Sequence, residues 1–276
     1  MKIRFFLSVV ILSFMLLPGA GEAFIPQTPH LLHLVLTKIK QPVGIEAVQT
    51  KKIINYQDTE KGVVELEERL IYRYPNQFRV EVVSDTLTRF SVESDGGFIR
   101  VADGVTVSHE KSPVDLYTDI LLYRDLDSLL NQLVLAGIDT TRVSFQRQND
   151  SICYVIGRPG LKGKPFASLW IEKESFLPIK YVVEKNGWTV EFFYRNWQPV
   201  SRTWYPMQVH IFLDHQLFGT IDVSQIDLAS DSPLSLFDIE HIEQLYPPQQ
   251  PDALDEHSKQ VDELDRRMEE FKKLYE

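Results

Sequence analysis

The sequence predicts an α+β fold in which antiparallel β-strands dominate and helices are few and short. Three observations predict it. Apolar and polar residues alternate with a period of two over roughly 46–110 and again over 142–228, the mark of strands with two different faces. Hairpin dipeptides punctuate those runs: Asp95-Gly96, Asp103-Gly104 and Asn186-Gly187, which supply the positive φ that two-residue turns need. The stretches with a 3.6-residue period are short and lie outside the strand runs.

Taken in order, the first 23 residues read as a secretory signal peptide. Lys2 and Arg4 precede an apolar run from Phe5 to Leu17, and Gly21-Glu22-Ala23 supplies small residues for cleavage. The run is short for a membrane span. Its removal leaves a chain from Phe24 and takes the net charge from −10 to −11. The expected location is the periplasm, with the mature chain soluble there. No cysteine follows the cleavage site, so a lipid on an N-terminal cysteine is not expected.

Thr28-Pro29 then opens a helix over 29–40, with Leu32, Val35, Leu36 and Ile39 on one stripe. In the strand run over 64–74, Val64, Leu66, Leu70, Tyr72 and Tyr74 share one parity, interrupted by Glu68. Pro75-Asn76 turns the chain, and Phe78, Val80 and Val82 continue the apolar parity. Strands follow over 87–93, 98–102 and 105–109. Helical spacing returns over 115–136 with a break near Asp125, and Gly137 stops it. About seven further strand runs fill 142–228. Some are apolar on both faces, as at Phe192-Phe193-Tyr194, which a sheet with one wet face would not need. Tyr246 to Pro251 is a proline-rich linker, and 252–276 is a charged amphipathic helix of about three heptads.

Several function classes are excluded. A chain this acidic is poorly matched to nucleic acid. The loop Gly157–Pro165 has the wrong spacing for a phosphate loop, with Pro165 where a hydroxyl is required. The seven histidines show no metal-ligand spacing, so neither metal nor cofactor is expected. Ser108 and His109 are adjacent on a strand and point to opposite faces, and the single cysteine, Cys153, reads as a small core hydrophobe. The chain is not read as an enzyme.

The stretches YRYPNQFRVE (72–81), VADGVTVSH (101–109), LLNQLVLAGID (129–139), SLWIEKESFLPIKYVVEKNG (168–187), WYPMQVHI (204–211) and SLFDI (235–239), in that order, resemble the LolA-like family of periplasmic outer-membrane lipoprotein-sorting carriers. The resemblance implies a strongly curved antiparallel half-barrel over 24–246, with short helices covering its open mouth. The linker and C-terminal helix (247–276) lie beyond it. It implies a hollow that binds the acyl chains of a lipoprotein or lipid, with an inner-membrane extraction complex and an outer-membrane acceptor as further partners. Residues expected to line the hollow are Leu66, Leu70, Tyr72, Tyr74, Phe78, Val80, Phe90, Phe192 and Tyr194, with Leu121, Leu129 and Leu133 from the covering helices. The alternative is a lipid-sensing regulatory or scaffold module that binds a protein partner through Val261, Leu264, Met268 and Phe271. One departure stands out. The family carries an arginine immediately before Pro-Asn that closes the lid; here that position is Tyr74, and Arg73 should point away from the hollow.

Overall fold

Alternation of this length must bury one face of each strand, and the chain does so by pairing every strand with its neighbour in a single sheet. A computed structural model describes residues 25–39, 43–54, 62–83, 88–158, 160, 166–185, 187–228 and 232–248. The expected signal peptide and C-terminal helix, with Val261, Leu264, Met268 and Phe271, lie outside the described residues.

The first meander comprises β1 (Gly44–Ile54), β2 (Val63–Arg73), β3 (Gln77–Val82), β4 (Arg89–Ser94), β5 (Gly97–Ala102) and β6 (Val105–Ser108). The second comprises β7 (Val143–Gln148), β8 (Ser151–Gly157), β9 (Ser168–Glu172), β10 (Pro178–Lys185), β11 (Trp188–Val200), β12 (Thr203–Leu213) and β13 (Gln216–Leu228). The two join where β1 pairs antiparallel with β13, giving the order β6-β5-β4-β3-β2-β1-β13-β12-β11-β10-β9-β8-β7. The sheet curves but stays open, with β6 and β7 as its two edges. The hairpin signals act as expected: Asp95 and Gly96 have φ of 51° and 81°, and Asp103 and Gly104 have 48° and 83°, the left-handed pairs of a tight hairpin.

Helices supply the cover. Helix α1 (Thr28–Ile39) buries Leu31, Leu32, Val35 and Ile39 against β12 and the later helices. The stretch expected as one interrupted helix over 115–136 is three pieces: a 3-10 helix (Pro113–Thr118), α2 (Asp119–Leu122) and α3 (Leu126–Leu135). The break near Asp125 is a cap, since its carboxylate accepts from Ser128 N at 2.9 Å and so satisfies a free helix-start amide. These three pieces carry the chain from the β6 edge to the β7 edge, over the inner face.

Two apolar clusters result. The larger lies between the inner face of the sheet and the roof of helices. The smaller lies on the outer face, where Ile71, Phe90, Val92, Ile99 and Val101 are covered by Phe237 and Ile242. Phe237 belongs to a second 3-10 helix (Leu234–Phe237) and Ile242 to α4 (Ile239–Leu245). Just past α4, Thr106 N and Oγ1 both donate to Tyr246 O, and Thr106 bridges Pro248. That segment shields the β6 edge, a place where open sheets invite unwanted pairing.

Candidate functional site

Register decides what faces the hollow. Ile45, Ala47, Gln49 and Lys51 on β1 stand beside Tyr72, Leu70, Glu68 and Leu66 on β2. Leu70, Tyr72 and Glu68 in turn pair with Val80, Phe78 and Val82 on β3. Phe78 and Val80 stand beside Glu93 and Ser91 on β4, and those beside Phe98 and Arg100 on β5. The second meander contributes Tyr181, Val190, Phe192, Tyr194, Val209 and Ile211, all fully or almost fully buried.

The two halves of this face differ. Under the second meander it is apolar and filled. Leu31, Leu32, Val35 and Ile39 on α1 and Leu129 and Leu133 on α3 close on it with no more than 1% exposure. Under the first meander a cavity of about 60 Å3 remains, room for about two waters at ~30 Å3 each. Its lining is apolar at Ile53, Leu66, Phe78 and Val80, and charged at Lys51, Glu68, Arg89, Glu93, Arg100 and Lys111, with Asp115 facing them from the roof.

Those charges are paired across wall and roof. Lys51 Nζ donates to Asp115 Oδ1 at 2.8 Å, and Arg100 Nη2 donates to Asp115 Oδ2 at 2.6 Å. Lys111 bridges Glu93 on the wall and Asp119 on the roof, the latter at 2.7 Å. Asp119 also accepts from Gln132 Nε2 at 2.8 Å and from Tyr181 OH at 3.3 Å. Gln49 Nε2 donates to Glu68 Oε2 at 2.7 Å and to Tyr117 OH at 3.2 Å. Burial opposes the charge on Asp115, but Lys51 and Arg100 more than reverse that and hold its carboxyl well below the usual range. Burial raises the Glu68 carboxyl, and Lys51 and Gln49 only partly offset it. Lys51 and Lys111 are both raised: burial works against their charge, and the facing carboxylates outweigh it.

A second tie holds the roof down at its middle. Arg124, 1% exposed, donates through Nε to Leu121 O and through Nη1 to Ile39 O, each at 2.7 Å, and to Thr203 Oγ1 at 3.1 Å. Its guanidinium lies 5.1 Å from the Tyr72 ring centre. It therefore joins the end of α1, the end of α2 and the start of β12.

The residues singled out from sequence are distributed as follows. Leu66, Phe78 and Val80 border the cavity. Leu70, Tyr72, Leu121, Leu129, Leu133, Phe192 and Tyr194 are packed into the inner cluster. Phe90 borders the cavity but is packed into the outer cluster, edge-on to Tyr246 with ring centres 5.4 Å apart. Tyr74 lies past the end of β2 and is 38% exposed. Arg73 donates to Ser232 O at 2.9 Å on the outer face, away from the hollow. Ser108 Oγ bonds Glu110 and His109 Nε2 pairs with Glu243 at 3.1 Å. Cys153 is buried, which raises its thiol. Among the described residues no group of His, Cys, Asp and Glu could hold a metal ion, and no helix is long and apolar enough to cross a membrane.

Sequence reasoning missed the charged half of the hollow, although a signal was present. Glu68 interrupts the apolar parity of β2, and Gln49 and Lys51 interrupt that of β1. Polar residues at inward positions of neighbouring strands are expected to face one another.

No protein-family model matches the chain, and no curated protein matches it. Solved structures do. A LolA superfamily protein from Nitrosomonas europaea superposes with a TM-score of 0.55 at 11% identity, covering 79% of this chain and 100% of that one. A domain assigned to outer membrane lipoprotein sorting from Vibrio parahaemolyticus gives 0.54 at 8% identity, covering 78% and 97%. A DUF1329 family protein from Desulfovibrio piger gives 0.51 at 12%, covering 79% and 100%.

Proposed function

We propose that this chain, whose fold is LolA-like, is a non-catalytic periplasmic carrier that holds the acyl chains of a lipoprotein or lipid between the curved sheet and its roof. The observation that carries the reading is the nature of the roof. The apolar inner face of the second meander is covered by short helices joined through loops and pinned at a few polar contacts. A cover of that kind can separate from the wall without breaking a strand ladder. The likeness to a lipoprotein-sorting domain supports the same reading.

The closed hollow is too small for cargo. Ligand pockets run to roughly 300–1,000 Å3, against about 60 Å3 here, so loading requires the roof to lift. The chemistry is balanced. A chain of about 16 carbons gains on the order of 10 kcal/mol on burial, comparable to the ~9–18 kcal/mol from the six roof side chains it would replace at about 1.5–3 kcal/mol each.

Protein purified without detergent is expected to release acyl lipids on solvent extraction, detected by mass spectrometry. No extractable lipid, together with no binding of an acyl probe, overturns the carrier reading. The filled hollow favours a second reading, a regulatory or scaffold module that acts through a protein partner. Deleting 249–276 separates the two: a carrier keeps its acyl binding, while a module that docks through this tail loses its partner.

A further inference from the structure

Two cations of the wall converge on one anion of the roof. Lys51 on β1 and Arg100 on β5 are 6% and 5% exposed, and they take one oxygen each of the Asp115 carboxylate. Asp115 is not part of the wall; it sits in the first turn of the 3-10 helix that begins the roof. The same cavity continues along the apolar side chains of Ile53, Leu66, Phe78 and Val80.

We infer that Lys51 and Arg100 form a clamp for the anionic headgroup of an acyl ligand, and that Asp115 occupies this clamp while the roof is closed. The inference rests on the carrier reading and names the class of its cargo: acyl chains bearing a carboxylate or phosphate.

The argument concerns what happens when the roof lifts. Asp115 leaves with it, and two buried cations lose the carboxylate they share, which leaves buried charge uncompensated. Glu68 still attracts Lys51 from β2, but burial pushes that carboxyl toward its neutral form. A ligand carboxylate or phosphate restores both charge-assisted bonds with no change in the local charge, whereas an uncharged headgroup restores neither. Lys111 provides the contrast. It shares its charge between Asp119 on the roof and Glu93 on the wall, so it keeps a partner either way and calls for no ligand anion.

The test compares cis-parinaric acid with its methyl ester, two fluorescent acyl probes that differ by one negative charge, on the full chain. The acid is expected to bind about tenfold or more tightly than the ester. Lys51→Met and Arg100→Met should each shrink that ratio toward one. Equal affinity of acid and ester for the unaltered protein overturns the clamp and leaves the carrier reading intact, and this arm needs no variant to fold. Binding of neither probe overturns the clamp, and together with an absence of extractable lipid it overturns the carrier reading as well. Inorganic phosphate or acetate that displaces the acid as effectively as unlabelled palmitate does would mark a site for free anions, and overturns the assignment to acyl ligands.

Discussion

Arg124 carries the roof contacts at the scale of a single residue, and it does so from a position that no sequence signal marked. The arginine that the family resemblance places before Pro-Asn is absent, yet a buried guanidinium reaches the backbone of two covering helices from within the roof itself. Arg124→Met keeps much of the stem but leaves the carbonyls of Leu121 and Ile39 short of a charged donor. A loss of about 2–4 kcal/mol in urea unfolding is expected, and a loss below about 0.5 kcal/mol would show that the contacts are not needed. Asp115 makes a second prediction. Its folded value is depressed below the ordinary 3.8, so its contribution to stability is present above that pH and is lost as pH falls toward the folded value. Glu68 runs the other way. Its folded value is raised above 4.5, so its contribution is complete below 4.5 and declines as pH rises through the folded value. Urea titrations from pH 4 down to pH 2 should therefore show a shallower acid loss for Asp115→Asn than for the unaltered chain. Glu68→Gln should gain relative to the unaltered chain at pH 7 but not at pH 4. Parallel curves for all three would show that these carboxyls do not set the pH dependence.

Among elements, the strands and α1 were legible, and the breaks within the later part of the roof were not. Alternation and Asp-Gly pairs are local, so β2, β3, β5 and β6 begin and end within a residue or two of the expected positions. The roof is set by distant partners. Helical spacing over 115–136 reads as one interrupted stripe, whereas the break into three pieces depends on Asp125 capping α3 and on wall charges that hold Asp115 and Asp119. The face of Phe90 was equally out of reach: Arg79 stacks over its ring at 3.9 Å, and the cover from Phe237 and Ile242 comes from beyond residue 230. The join of β1 and β13 brings two backbones unusually close. Gly219 on β13 sits where a Cβ would come within 2.4 Å of Lys52 O on β1, the close backbone approach that glycine permits in a strand. Gly219→Ala is expected to cost about 1–3 kcal/mol through forced separation of β1 and β13, read as a lower thermal midpoint. An unchanged midpoint would show that the join between the two meanders tolerates a wider spacing.

For the whole molecule, the wall and the roof differ in how they are held. Among the described residues thirteen strands share a continuous ladder, with the central β1–β13 pair protected on both sides. The roof depends on apolar contact plus side-chain ties, among them those at Asp115, Tyr117, Asp119 and Arg124. Opening free energies should follow that difference, since segments held by few backbone links open before those within a sheet. Amide exchange is expected to be slowest in β1, β12 and β13 and faster by about tenfold or more in 113–135, each factor of ten being ~1.4 kcal/mol of opening. The decisive measurement adds cargo. Because the closed hollow is about 60 Å3, an acyl chain can lie against the wall only where α1 and α3 have withdrawn their side chains. Saturating cis-parinaric acid should therefore speed exchange in 28–39, 113–118 and 126–135 while leaving β1 and β13 unchanged. Slower exchange across the roof on binding would mean that the chain lodges elsewhere on the molecule with the roof shut, and the hollow would lose its claim to be the carrier's site.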